Sequence, residues 1–322
     1  MTSRARCIIS LVLTLTASFA CFAAAPPWPT KPIRLVVNFP PGGTTDQMAR
    51  ALGPRLAETF GQPVVIDNRG GAGGNIGLEV VAKSAPNGYT LLISSGSPIT
   101  VGPHLYRLGF DVSKALAPVA PTARTPILLV VQPGLPIRTF AELLAHARAH
   151  PGKLTFGSAG NGTTLHIHGE RLLRTAKIQA THVPYKGVAP MIVALLGGQI
   201  DFAFDSGLTI QHVKAEKLRL LAVLSPARSP LFPDTPTLAE MGTVVDPEPL
   251  FGVYAPAGTP HEIIMRLNRE ITRIMQTAEV RAALATFGSE VVTASPEEFA
   301  AIQRRDRERQ GAFIREANIR LD

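Results

Sequence analysis

Apolar residues in this chain fall into two kinds of run. Short blocks rich in β-branched residues, each closed by glycine, proline or serine, alternate with longer stretches in which apolar positions recur at helical spacing. The first kind predicts buried strands and the second amphipathic helices. The clearest pair lies near the start. Ile33–Asn38 reads as a strand, Phe39-Pro40-Pro41-Gly42-Gly43 as a breaker, and Thr44, Thr45 and Asp46 open a helix carrying Met48, Leu52 and Leu56 on one face. Gly53-Pro54 should kink that helix, which ends near Gly61. Further strands are predicted at 64–67, 89–95, 127–132, 154–158, 180–185, 200–205, 218–225 and 251–256. Helices are marked by a capping box at Thr139 and Glu142, by Thr163-Thr164, by the run after Gly187, by the stripe Ile263, Ile264, Leu267, Ile271 and Ile274, and by a second box from Ser295 to Glu298.

This alternation predicts an α/β fold of parallel sheets covered on both faces, with ligands at the carboxyl ends of the strands. Gly42-Gly43-Thr44-Thr45 is echoed by Asn161-Gly162-Thr163-Thr164, which points to two similar halves. The runs at 127–134 and 251–256 also resemble each other and read as crossings between those halves.

Length and composition sharpen the picture. A chain of 322 residues, 45% hydrophobic and 17% charged, is globular and long enough for two domains. Arg4 and Arg6 precede an uncharged apolar run from Cys7 to Phe22 that leads into Ala23-Ala24-Ala25, the layout of a secretory signal peptide over residues 1–25, cut between Ala20 and Ala25. The alternative use of Cys21 as a lipidated residue has a poor motif in Ser18-Phe19 before it. Whole removal of the leader takes both cysteines and lowers the formal charge from +8 to +6 through the loss of Arg4 and Arg6. The remaining basic residues are interleaved with acids, as in Arg304–Arg309, and lack aromatic neighbours, so a nucleic-acid face is not expected.

The candidate chemistry sits at strand ends. A strand, a glycine loop and a helix N-terminus make either an anion site or a plain β–α turn that needs small residues. Thr44, Thr45, Ser94, Ser95, Ser97, Ser158, Thr163 and Thr164 supply hydroxyls, with Lys186 and Arg69 as the cations. Asp46 either touches a ligand or serves the helix N-terminus; Lys186 either touches a ligand or is solvated; Asp205 either meets a ligand amine or caps the next helix, the reading it favours. Gly71, Gly73 and Gly77 miss the dinucleotide fingerprint by one residue. His166 and His168 are two apart and face different ways on a helix, so no metal is expected, and no other cofactor. Without a GxSxG elbow, an HExxH motif or a retained cysteine, catalysis has little support.

Taken in order, PPGGTTD (40–46), NRGGAGGNIG (68–77), SAGNGTTLHIHGE (158–170), HVPYKG (182–187), LLGGQIDFAFD (195–205) and YAPAGTP (254–260) resemble the solute-binding proteins of tripartite tricarboxylate transporters, the Bug proteins. The resemblance spans nearly the whole mature chain. It implies a type II periplasmic binding protein with two α/β lobes joined by two crossings, lobe one at 26–124 plus 251–322 and lobe two at 125–250. It implies a cleft that closes on a small carboxylate and is lined by Phe39, Gly43, Thr44, Thr45, Asp46, Asn75, Ser94, Ser158, Gly160, Thr163, Thr164, His166, Tyr185, Lys186, Gly187 and Asp205. The implied partners are the membrane subunits of such a transporter, and the implied state is a periplasmic monomer. A ligand-binding co-sensor for a membrane sensor kinase and an exported hydrolase are the alternatives. The chain departs from the pattern at Gly71, Ala194 and Leu250; Leu250 stands where a tryptophan often precedes the second crossing and bears on ligand size.

Overall fold

The computed structural model describes residues 28–243 and 249–321. The leader and cleavage site expected from sequence, and Cys21, lie outside the described residues.

Two sheets organise the molecule. The first contains β1 (Ile33–Val37), β2 (Val64–Asn68), β3 (Thr90–Ser94), β4 (Leu116–Arg124), β10 (Leu250–Pro256) and β11 (Glu290–Val291), in the order β11-β4-β10-β3-β1-β2. The second contains β5 (Ile127–Val131), β6 (Thr155–Ser158), β7 (Thr181–Pro184), β8 (Phe202–Asp205) and β9 (Arg219–Leu224), in the order β7-β6-β8-β5-β9. In each, parallel strands flank one antiparallel strand: β10 runs against β3 and β4, and β5 runs against β8 and β9. Setting β11 aside, β2-β1-β3-β10-β4 and β7-β6-β8-β5-β9 are the same arrangement. The threonine echo in the sequence therefore marks a real repeat of topology.

The strands form where apolar residues run unbroken, because a central strand is covered on both faces. All of β5, ILLVV, is buried, and β1 has only Arg34 half-exposed. Arg34 pairs with Asp67 of edge strand β2 at 2.5 Å. Against one face of the first sheet lie α1 (Thr44–Phe60), α7 (His261–Met275) and α8 (Ala278–Ala285); against the other lie α2 (Asn75–Ala82) and α9 (Pro296–Glu316). The second sheet is covered by α3 (Phe140–Ala149), α4 (Thr164–Ala176), α5 (Val188–Leu196) and α6 (Ile210–Lys214). Both predicted capping boxes are formed.

Helix α1 continues through Gly53 and Pro54 to Gly61, whose φ of 65° closes it. Proline leaves the Arg50 carbonyl without its helical donor, yet burial of Met48, Leu52 and Leu56 on either side holds the helix together. The runs at 127–131 and 250–256 are not crossings but the antiparallel strands β5 and β10 in the sheets. The first crossing is the short Arg124-Thr125-Pro126 link that precedes β5, and the second precedes β10. A small apolar cluster of Val101, Ile167, Ile314, Ala317 and Ile319 ties α4 of one lobe to the end of α9 on the other.

Candidate functional site

Loops at the carboxyl ends of β1, β3, β6, β7 and β8 converge on one cavity between the sheets. Helix α1 contributes Gly43, Thr44 and Thr45, α4 contributes Thr163, Thr164 and Leu165, and α5 opens at Gly187, Val188 and Ala189. Ser95, Ser97 and Ser206 add hydroxyls, and Ile127, Pro249 and Phe251 close the inner end next to the crossings. The cavity holds about 510 Å³ of space between atoms, part of it open to solvent. No charged side chain is among its described lining residues.

Counting from the two helix starts, Thr44 and Thr164, pairs Phe39 with Ala159, Gly43 with Thr163, Asp46 with His166 and Arg50 with Glu170. The sequence echo is thus off by one, because α4 is capped by Thr163 whereas α1 is capped by Gly43. The consequence is chemical. Thr163 Oγ1 accepts from the His166 N–H at 3.4 Å, and Ser97 Oγ accepts from the Thr164 N–H at 3.0 Å, so α4 spends first-turn donors on itself and its neighbour. Helix α1 has no side-chain cap. Its first-turn N–H groups at Thr44, Thr45 and Asp46 have no intrahelical acceptor, and they carry the positive end of a helix of 17 residues. Of the two helix starts, α1 is the one without a side-chain cap.

The paired first-turn threonines instead reach across the cleft. Thr44 Oγ1 shares a hydrogen bond with Ser206 Oγ at 2.8 Å, and Thr164 Oγ1 shares one with Ser97 Oγ at 2.8 Å. Each threonine joins its own lobe to the loop after the third parallel strand of the other.

Behind the cavity, one brace holds each loop. Asp46 Oδ2 accepts from the Gly42 N–H at 2.9 Å and from Arg50 Nε at 2.8 Å, while Oδ1 accepts from Asn68 Nδ2 at 3.0 Å. Burial pushes this carboxyl up, but those three donors outweigh it and leave it below the ordinary carboxylate value. In the other lobe His166 Nδ1 accepts from the Gly162 N–H at 3.2 Å, and its ring stacks on His182 with centroids 4.0 Å apart. His182 Nε2 in turn hydrogen-bonds Ser158 Oγ at 2.7 Å. Burial lowers His166 to about 4; burial and then the neighbouring His166 lower His182 to about 3, so both rings are neutral at neutral pH.

The residues named from sequence therefore separate into three groups. Phe39, Gly43, Thr44, Thr45, Thr163, Thr164 and Gly187 line the cavity. Gly160, Tyr185 and Lys186 line a neighbouring outer pocket of about 540 Å³, which also touches Phe39, Ala159 and the glycine run 71–74; across its mouth Tyr106 Oη donates to the Asn161 carbonyl at 2.7 Å. Asp46, Asn75, Ser94, Ser158, His166 and Asp205 are buried and line neither.

Those buried groups have structural partners. Asn38 Nδ2 donates to Ser94 Oγ at 2.9 Å, and Asn75 Nδ2 donates to the Ala72 carbonyl at 2.8 Å. Asp205 Oδ2 accepts from the Thr209 N–H at 2.7 Å and from its hydroxyl at 2.8 Å, so it ties the turn after β8, whereas α6 starts after Thr209 with no side-chain cap, and the helix cap expected from sequence is not formed. Burial raises it to about 6, with the N–H groups of the turn limiting the rise. Arg69 pairs with Asp67 at 3.0 Å. Leu250 faces away from the ligand space into the cluster of Val36, Leu78, Tyr254 and Phe299, and strand alternation turns Phe251 toward the cavity in its place. Sequence reasoning missed Ile127, Val188, Ala189, Ser206, Pro249 and Phe251. Ile127 is the first residue of β5 and Phe251 the second of β10, and they reach the cavity through a strand pairing that the sequence alone did not reveal.

Among the described residues no group of three or more His, Cys, Asp and Glu side chains is placed to hold a metal ion, and no helix is long and apolar enough to cross a membrane.

A family model described as the tripartite tricarboxylate transporter family receptor matches residues 48–319. Protein BugT of Bordetella pertussis is 38% identical over 317 residues, covering 96% of both chains. Among solved structures, an R. palustris protein with adipate superimposes with a TM-score of 0.87 at 35% identity, covering 91% of this chain and 100% of that one. MatC from Rhodopseudomonas palustris with bound malate gives 0.85 at 29% identity, covering 89% and 100%.

Proposed function

The chain belongs to the tripartite tricarboxylate transporter receptor family, and from that premise we propose that its cavity captures a small carboxylate outside the cytoplasm and presents it to the membrane subunits of such a transporter. The observation that carries the reading is the uncapped start of α1 opening into a cavity whose described lining combines hydroxyls and glycines with apolar side chains and includes no charged one. Such a site stabilises an anion through oriented N–H groups, and it penalises none by a buried carboxylate. The adipate and malate of the two superimposable structures are of the same chemical class.

In this reading residues 1–25 are a cleaved signal peptide, 26–124 with 251–322 form lobe one, and 125–250 form lobe two. The protein works as a periplasmic monomer that binds and releases its ligand without chemical change. Affinity comes from about five or six hydrogen bonds worth about 0.5–1.5 kcal/mol each, together with lobe closure, set against the association cost. A thermal-shift screen of mono-, di- and tricarboxylates and amino acids tests it. A cognate acid at a hundredfold excess over its Kd should stabilise the fold by about 2.7 kcal/mol, a rise of about 5 °C. No responder in the panel would reject the carboxylate reading.

A further inference from the structure

Resting on the carboxylate reading, we propose that the ring of Phe39 sets the greatest length of ligand that the cavity accepts, by walling it off from the outer pocket that holds Lys186. Among the described residues only Phe39 and Ala159 line both spaces, so the partition between them is made there. These two positions are equivalent in the two lobes, one after β1 and the other after β6. One carries a ring and the other a methyl group, so nearly all the thickness of the wall comes from Phe39.

The ring is held in place. Phe39 is buried, and its tip rests on Gly74, where any β-carbon would come within 3.1 Å of Cζ. Gly74 has a φ of 96°, so both its conformation and the space it leaves call for glycine. Beside it Pro40 packs closely on Gly187 of the other lobe, where an added β-carbon would meet Pro40 Cδ at 2.9 Å.

Lys186 is the only charged side chain among the described residues lining either space, and it lies wholly on the far side of the wall. A short acid in the inner cavity ends before it reaches the lysine. A longer diacid has a second carboxylate that the lysine would favour, but Phe39 stands in its path.

The test is isothermal titration of succinate, adipate, suberate and sebacate, with the matching monoacids, against the intact mature protein. Phe39→Ala should move the preferred chain length up by at least two methylenes and raise the affinity for sebacate relative to succinate at least tenfold. Adding Lys186→Met should cancel that gain for diacids and leave monoacids unchanged. Lys186→Met alone should change no short acid by more than about twofold. Phe39→Leu, which keeps an apolar contact with Gly74, guards against a folding defect and should give a smaller shift in the same direction. An unchanged order of chain lengths in both variants overturns the inference while leaving the carboxylate reading intact, and so does a marked loss of short diacids in Lys186→Met. If the wild-type protein binds no acid at all, the carboxylate reading fails and takes this inference with it.

Discussion

At the carboxyl end of β1 the Gly42 N–H is held by a carboxylate that Arg50, one turn further on, neutralises; at the carboxyl end of β6 the Gly162 N–H is held by a neutral imidazole with Glu170 one turn further on, 3.8 Å away. The two loops have the same place in the same strand order, and in both the side chain four residues on accepts from the loop glycine. The comparison teaches that the geometry required is a held glycine N–H at a helix start, and that different acceptors meet it. The acceptors differ in how they respond to acid and to truncation.

Truncating the acceptors should separate the loops most. Asp46→Ala leaves Gly42, Asn68 and Arg50 without their acceptor and should cost about 2–4 kcal/mol in urea unfolding, less than for a wholly buried pair because Arg50 is half in solvent. His166→Ala removes one neutral acceptor and a ring stack and should cost less, about 1–3 kcal/mol. A His166 loss exceeding that of Asp46 would break the ranking.

Acid should act on the imidazole loop first. His166 and His182 bind protons near 4 and 3 when folded but near 6.5 when unfolded, so the unfolded chain binds more protons and stability falls as pH drops from about 6.5 toward 4. Between pH 6.5 and 5 the two rings together should remove about 2–3 kcal/mol. Asp46 responds in the same direction but at lower pH: its depressed value adds stability that is complete above the unfolded value of 3.8 and is lost only as pH falls through the lower folded value. Hydrogen exchange at pH 5 should therefore show Gly162 losing protection before Gly42. Equal loss at both glycines would mean that the acid response is global.

The threonines that bridge the lobes should behave alike. Thr44→Ala and Thr164→Ala each remove one hydroxyl pair and should weaken ligand binding about fivefold, or about 1 kcal/mol, with the double variant near the product of the two. A calorimetric titration in which one variant loses affinity and the other does not would show that only one bridge bears on closure.

The smallest effect concerns the caps. Thr163→Ala should lower stability by about 1 kcal/mol, whereas Gly43→Ser should raise it by a few tenths, because φ of −80° suits any residue and the nearest neighbour of an added β-carbon is 3.5 Å away. Thermal melts of the two variants should move in opposite directions, and a Gly43→Ser melt that falls would contradict the reading of an uncapped α1.

Much of this architecture was legible in the chain because burial leaves a period. The unbroken apolar runs of β1 and β5, the capping boxes at Thr139 and Ser295 and the glycine stop at Gly61 are local signals, and each is found in the structure. The site was legible as loops but not as contacts. Thr44 and Thr163 look alike in the sequence, yet one reaches Ser206 across 162 positions and the other caps its own helix.

The sequence by itself determined the alternation of strands and helices, the repeated threonine helix starts and the absence of cations from most cleft loops, since these follow from local burial, backbone chemistry and composition. Tertiary structure alone decided that 127–131 and 250–256 are the antiparallel strands of two sheets, because pairing depends on which strands become neighbours in space. It likewise decided that Asp46, His166 and Asp205 stand behind the cavity as braces while Ile127, Ser206 and Phe251 face it. It also put Lys186 beyond the ring of Phe39. The physical reason is the same throughout: which way a side chain faces depends on what packs against its element, and those neighbours come from distant parts of the chain.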